Sequence, residues 1–193
     1  MKYRKMALTE GAQDMVINTQ GVSKAAGRLR QVLLAVALLH VAILLFLVSA
    51  AFVDPAGLGD TLADWVGYEP ATRALWQNVG LLAAACLGVV FWVVVFVLAA
   101  RVFGQLAEGE TDEAARHAGQ LSTWFWAMLG WALISPMIIS VVGTWHMPEG
   151  QRELSIALNS EQLTIALSAL ITACMARALT LGAELWRDHR EMV

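Results

Sequence analysis

Charged residues are scarce in this chain of 193 residues: they make up only 15%, whereas hydrophobic residues make up 58%. A water-soluble domain usually carries about 25% charged and about 45–50% apolar residues. The composition therefore excludes a soluble globular domain and a disordered chain. The net charge of −3 also lacks the basic excess that nucleic-acid-binding modules show, so we expect no direct binding of nucleic acid.

Residues that commonly hold metals or carry catalysis are sparse as well. The two cysteines, Cys86 and Cys174, lie in apolar runs and form neither a disulfide framework nor a metal-binding spacing. The sequence has no glycine-rich phosphate loop, no HExxH and no nucleophile elbow. We therefore predict no enzyme activity, no cofactor and no metal site.

Long apolar runs are abundant, and four of them reach the length of about 20 residues that a bilayer requires. They cover residues 31–53, 79–100, 120–144 and 161–182. Backbone groups in lipid pair within their own segment, so continuous apolar runs of this length predict helices rather than barrel strands. The predicted fold is an all-α membrane protein whose four transmembrane helices form an up-down bundle.

Lysine and arginine are divided unequally between the segments that flank these spans. Ten lie in the N-terminal segment, the 101–119 loop and the C-terminal tail, against two in the other loops, Arg73 and Arg152. Because cytoplasmic loops carry the excess of basic residues, both termini are predicted to be cytoplasmic in a bacterial inner membrane. Residues 1–30 would form a basic cytoplasmic segment and residues 31–193 a single four-helix transmembrane domain.

The segments between the spans carry further local signals. Residues 1–20 lack helical periodicity, which predicts an irregular segment. Ser23 and Thr111 are typical of residues that cap a helix start. Residues 154–158 alternate polar with apolar side chains, which predicts a short extended segment in the second outer loop.

Proline and tryptophan positions also carry information about the spans. Pro136 lies inside the third span, where proline removes one backbone donor and frees the carbonyl of Ala132. Asn159 and Gln162 are typical of a capping pair before the fourth span. Five tryptophans fall near predicted membrane boundaries and indicate an interfacial belt rather than a ligand cage: Trp76, Trp124, Trp126, Trp145 and Trp186.

Two polar residues inside spans are candidates for a buried polar site. His40 lies well inside the first span and Arg177 close to the end of the fourth. His40 fits a proton relay, a cofactor ligand or a pH sensor, or else a neutral imidazole bonded to a neighbouring helix. Arg177 fits either a snorkelling side chain at the interface or a ligand for an anionic lipid or a buried acid.

Two further groups of residues are candidates for contacts between helices or proteins. Gly80, Ala84 and Gly88 repeat at intervals of four and predict a face for close helix packing, which also suits a homo-oligomer. The charged loop after the second span is a candidate contact for a protein partner. Its residues are Glu108, Glu110, Asp112 and Arg116.

The order of several short motifs resembles a bacterial family of small four-span membrane proteins of unknown function, often encoded beside Xre-like helix-turn-helix regulators. The resemblance covers roughly residues 80–193. It is carried by Arg101-Val102-Phe103 with Gly109-Glu110-Thr111, by Gly130-Trp131-Ala132-Leu133 with Pro136, by Leu154–Leu158, and by Gly182-Ala183-Glu184-Leu185 with Glu191-Met192-Val193. The resemblance implies no catalytic residues.

These observations favour a regulatory or interaction role, in which the protein holds a cytoplasmic transcription regulator at the membrane. The gene neighbourhood implied by the resemblance supports this hypothesis. The packing face favours the alternative of an accessory subunit in a larger membrane complex. A small transporter is the third hypothesis, which the scarcity of charge inside the spans disfavours. The lipid bilayer is the one partner common to all three.

Overall fold

The computed structural model describes residues 2–65, 74–145, 147–148, 150, 152, 154–156 and 160–191, with side chains from residue 21 onward except those of 22, 63, 65 and 186–191. Within these residues the chain forms five helices and no strand. They are α1 (Lys2–Val53), α2 (Pro55–Trp65), α3 (Leu75–Glu108), α4 (Thr111–Thr144) and α5 (Ser160–Glu191). The predicted all-α fold is confirmed.

The four long helices each contain a stretch that is long and apolar enough to cross a membrane, so the chain has the architecture of a multi-pass membrane protein. These stretches cover 23–53, 75–108, 111–144 and 160–185, and each contains one of the predicted spans. Exposed apolar side chains cover much of α1, where Leu38 is 72% and Phe46 is 67% exposed. A continuous apolar surface of this kind suits lipid rather than water.

Consecutive long helices pack antiparallel in the predicted up-down order: α1 on α3, α3 on α4, and α4 on α5. The short helix α2 packs against α3. The apolar core lies between α3, α4 and α5, where small and branched side chains interlock. Its buried members are Val95, Leu98, Leu121, Met128 and Ile165.

The starts of the helices differ from the predictions. Helix α1 begins at Lys2, so the irregular segment predicted for residues 1–20 is wrong over the described part. Ser23 lies inside α1 and caps nothing; its hydroxyl donates to the Ala107 carbonyl of α3 at 2.8 Å. A serine hydroxyl inside a helix is free to bond a neighbouring helix, and local sequence cannot distinguish that use from capping.

The junction between α3 and α4 is a tight turn. Gly109 takes a left-handed conformation (φ 82°), and its backbone N–H donates to the last turn of α3. A residue with a side chain would be strained there. The residue before α4 is Glu110, which makes no side-chain capping bond. The cap predicted at Thr111 is therefore wrong, because Thr111 is already the first helical residue.

The connection from α4 to α5 lies against α4. Leu154, Ser155 and Ile156 have no regular secondary structure, and the Ser155 N–H donates to the Ser140 hydroxyl at 3.0 Å. The rest of the predicted extended segment lies outside the described residues, as does Asn159. The predicted capping pair therefore stays a prediction. Gln162 also bridges two helices, since its Nε2 donates to the Ala132 carbonyl of α4 at 3.2 Å.

Candidate functional site

A groove of about 230 Å³ opens between α1 and α3 near the end of the molecule where α3 turns into α4. We call this end the basic end, because Lys24, Arg28 and Arg30 of α1 and Arg101 of α3 lie there. The polar part of the groove is formed by Arg30, Arg101, Gln105 and Glu108. These side chains come from two helices that are far apart in sequence.

The groove changes from polar to apolar along its length. One helical turn from Arg30 towards the middle of the molecule lies Leu34, and one turn from Arg101 in the same direction lies Val97. Ala100 continues the apolar wall. We call the cationic part of the groove at the basic end its mouth, and the apolar part towards the middle of the molecule its floor.

Arg30 reaches the mouth because Gly104 has no side chain. A Cβ built on Gly104 would lie 3.3 Å from Arg30 Cδ and 3.4 Å from its Nη1. Arg30 Nη1 lies 3.6 Å from Glu108 Oε1, and the two side chains are 49% and 57% exposed. An ion pair this exposed contributes at most about 1 kcal/mol, so it does not hold the guanidinium firmly.

Two polar groups in the groove wall lack a partner among the described residues. Arg101 is exposed, and none of the side chains that the structure describes forms an ion pair or hydrogen bond with it. The Oε1 atom of Gln105 is buried without a hydrogen-bond partner. A buried acceptor without a donor costs about 1–3 kcal/mol, so a donor that reached Gln105 would stabilise the groove.

A second, larger groove of about 580 Å³ adjoins the first along α1. It is lined by Lys24, Arg28 and Arg30, with Leu34 again towards the middle of the molecule. Arg30 and Leu34 therefore lie between both grooves. Among the described residues that line the two grooves, four cationic side chains accompany one carboxylate, that of Glu108.

Two tryptophans at the opposite end of the molecule provide a reference for the depth of Arg101 in a bilayer. Trp76 in the first turn of α3 packs edge-to-face on Trp145, just past the end of α4, with ring centroids 6.1 Å apart. Arg101 lies about 25 residues further along α3, or about 37 Å. The hydrocarbon core is about 30 Å thick and the whole bilayer about 40–45 Å, so Arg101 lies at headgroup depth when the tryptophans mark the other interface.

The predicted partner-contact residues lie at the turn between α3 and α4. Glu108 lines the groove, and Arg116 pairs with Glu113 at 2.8 Å on the first turns of α4. Glu110 and Asp112 are exposed beside them. This acidic turn lies further from the tryptophan pair than the arginines do.

The structure does not bring His40 and Arg177 together, because α1 and α5 are not among the helices that pack on each other. His40 Nδ1 lies 2.8 Å from the Val36 carbonyl of its own helix, and its ring packs on Phe96 of α3 with centroids 5.1 Å apart. The bond is therefore within α1 and not to a neighbouring helix. Arg177 is exposed on α5 and has no described partner.

The small-residue face of α3 lies against α4. A Cβ on Gly80 would lie 3.2 Å from Val142 Cγ1, and one on Gly88 would lie 3.7 Å from Trp131 Nε1. Ala84, between them, is buried. This face is therefore occupied within the molecule.

The groove residues carry a signal that a sequence reading can find. Val97, Arg101, Gly104, Gln105 and Glu108 recur at the three- and four-residue intervals of one helix face. In the sequence, the basic residues at 30 and 101 indicate only the orientation of the chain in the membrane, so the groove that they share is not predicted. The pairing with α1 depends on tertiary packing, which no local pattern specifies.

In the part of the chain that the structure describes, no three His, Cys, Asp or Glu side chains are grouped as a metal site would need. No protein-family model, curated protein or solved structure matches the chain.

Proposed function

We propose that the protein is a non-enzymatic, multi-pass protein of a bacterial inner membrane that holds a cytoplasmic partner at the membrane. One observation supports the proposal: at the basic end α3 and α4 extend together beyond their apolar runs, to Glu108 and from Thr111. Glu108 lies about 32 residues from Trp76, or about 48 Å, whereas the hydrocarbon core is about 30 Å thick. The hairpin thus extends about 18 Å beyond the hydrocarbon.

The chemistry of this projecting hairpin supports a basic partner. Its tip carries Glu108, Glu110, Asp112 and Glu113, with Arg116 pairing to Glu113. DNA-binding domains present basic surfaces, so a helix-turn-helix regulator of the kind implied by the family resemblance complements the tip in charge. Contacts between opposite charges at a rim set association rate and specificity more than affinity, which suits a reversible regulatory contact.

The alternative role, an accessory subunit of a larger membrane complex, has less support. The face of Gly80, Ala84 and Gly88, on which that hypothesis depended, already lies against α4. A small transporter is also less favoured, since the long apolar stretches contain few charged residues.

Site-specific photocrosslinking in intact membranes tests the proposal. A photoreactive residue in place of Glu110 should capture a soluble protein, and one in place of Pro148, at the other end of the molecule, should not. Glu110→Lys with Asp112→Lys should abolish capture of that protein by a probe in place of Thr111, which is exposed in the first turn of α4, whereas Thr123→Val should leave it unchanged. Absence of any soluble protein at 110, or equal capture at 148, would contradict the proposal.

A further inference from the structure

We propose that the groove between α1 and α3 is a binding site for an anionic phospholipid, with Arg30 and Arg101 contacting the headgroup phosphate and Leu34 and Val97 contacting the upper part of an acyl chain. The inference concerns lipid recognition and does not depend on the soluble partner proposed above. It is carried by the order of side chains in the groove, by its charge and by its depth.

The order of side chains matches the order of groups in a phospholipid. On both walls the cationic residue lies towards the basic end, and an apolar residue lies one turn towards the bilayer centre. A headgroup at Arg30 and Arg101 therefore places its ester-linked chains over Leu34, Val97 and Ala100. A free phosphate ion would use only the mouth and leave the apolar floor empty.

The charge of the region favours an anionic headgroup over a zwitterionic one. Among the described lining residues, Arg30 and Arg101 lie beside Glu108 in this groove, and Lys24 and Arg28 lie in the adjoining one. A guanidinium binds phosphate through paired N–H donors, a geometry that an ammonium group does not provide. Arg101 has no described partner, and the exposed pair between Arg30 and Glu108 is weak enough to be exchanged for phosphate.

The remaining polar group, Gln105, points to a headgroup that also carries hydrogen-bond donors. Its buried Oε1 has no hydrogen-bond partner, and a glycerol headgroup supplies hydroxyl donors beside the phosphate. Phosphatidylglycerol combines both features with a single negative charge. Basic pockets between transmembrane helices are a known means of recognising anionic headgroups.

Native mass spectrometry of the full-length protein from mixed micelles with equal amounts of phosphatidylglycerol and phosphatidylcholine tests this site. We expect the protein to retain phosphatidylglycerol about tenfold more than phosphatidylcholine. Arg30→Gln with Arg101→Gln should bring the ratio close to one, whereas Arg30→Lys with Arg101→Lys should retain part of the preference. Arg152→Gln, which removes an exposed cation at the other end of the molecule, should retain all of it.

Two further measurements, displacement by phosphate and lipid retention by the unmodified protein, complete the test. Inorganic phosphate at millimolar concentration should not displace the bound lipid; displacement would identify a soluble-anion site and overturn the proposal. Equal retention of the two lipids by the unmodified protein would also overturn it, and this comparison does not depend on whether any variant folds. A preference that survives in the double glutamine variant would place the lipid elsewhere.

Discussion

The side chain of Gln77, at the start of α3, forms hydrogen bonds through both the oxygen and the nitrogen of its carboxamide. It is 1% exposed; its Oε1 accepts from the Ala74 N–H and its Nε2 donates to the Val142 carbonyl of α4, both at 2.8 Å. A single side chain therefore satisfies the open N-terminus of α3 and ties it to the neighbouring helix. Because Gln77 is buried between helices, water does not readily replace these partners when the side chain is removed.

Replacing Gln77 with leucine should destabilise the protein by about 2–4 kcal/mol, because a backbone donor and a backbone carbonyl are both left without their partner. Unfolding by sodium dodecyl sulfate in mixed micelles measures the change. Gln120→Leu is the control: it removes an exposed hydrogen bond with His117 of the same helix, at 3.1 Å, and should change stability by less than about 0.5 kcal/mol. Equal effects of the two variants would show that the Gln77 bridge contributes nothing.

Arg177 should tolerate lysine and reject glutamate. It is exposed on α5 with no described partner, which suits a side chain that reaches the phosphate level by its length and charge. Lysine keeps both properties, whereas glutamate is repelled by anionic headgroups. Quantifying the protein in isolated membranes should give near-native amounts for Arg177→Lys and a clear loss for Arg177→Glu. A loss as large for lysine would instead indicate a bidentate guanidinium contact.

Some contacts of single residues could not be predicted from the sequence. The scarcity of charge in the apolar runs marked His40 and Arg177 as candidate polar positions, but it did not predict that Ser23 bonds Ala107 or that Arg30 lies over Gly104. Both contacts join α1 to a helix more than 70 residues away. A polar side chain near a helix start satisfies the same local pattern whether it caps its own helix or bonds another one.

At the scale of elements, α2 depends on close approach to α3. Asp54 caps α2 by accepting from the Gly57 N–H at 2.9 Å, and Pro55 follows as the first helical residue. Gly59 lies so close to Asn78 that an added Cβ would overlap its carboxamide. The absence of a side chain at Gly59 therefore lets α2 lie on α3.

Gly59→Ala should displace α2, although alanine is the better helix former by about 1 kcal/mol. Limited proteolysis within residues 54–65 should accelerate several-fold. Adding Asn78→Ala removes the overlapping carboxamide and should recover part of the protection. Gly119→Ala, whose Cβ would meet nothing within 4 Å, should not change the cleavage rate. Unchanged proteolysis in Gly59→Ala would contradict the close contact.

Pro136 and Gln162 act as a pair across α4 and α5. Proline at 136 leaves the Ala132 carbonyl without its helical donor, and Gln162 Nε2 supplies one. Gln162→Leu alone should therefore lower the free energy of unfolding by about 1–3 kcal/mol. In the background of Pro136→Ala, which restores an N–H at that position, the loss should be about 1 kcal/mol smaller.

A double-mutant cycle in the same unfolding assay measures this coupling. Ser122→Ala removes a different bond between the two helices, to the Ala169 carbonyl, and should combine additively with Pro136→Ala. Additivity of Gln162→Leu with Pro136→Ala would instead show that the freed carbonyl and the glutamine do not act together.

The elements themselves were largely predictable, whereas several of their ends were not. Continuous apolar character located all four spans, because a bilayer imposes a minimum length on any helix that crosses it. Apolar character does not indicate where a helix continues beyond the bilayer into water. Helix α3 runs on to Glu108, well past the apolar run 79–100, whereas α4 starts at Thr111, within one residue of the start that the predicted cap indicated. Gly109, with its left-handed backbone, is the local signal that sets both ends.

At the scale of the whole molecule, the two ends differ in chemistry. One end carries α2, the Trp76–Trp145 pair and Arg152 over the Trp145 ring. The other carries the cationic grooves and, beyond them, the acidic turn between α3 and α4. One end is therefore an interfacial border and the other a projecting, charged surface, and we propose that the projecting end is cytoplasmic.

Cysteine accessibility in intact cells tests this claim most directly. In a background with Cys86→Ala and Cys174→Ala, a membrane-impermeant maleimide should label Pro148→Cys from outside and should label Glu110→Cys only after the membrane is permeabilised. Both positions are exposed, so access to the reagent depends on the side of the membrane. Labelling of residue 110 but not 148 in intact cells would contradict the orientation and, with it, the cytoplasmic role proposed for the projecting end.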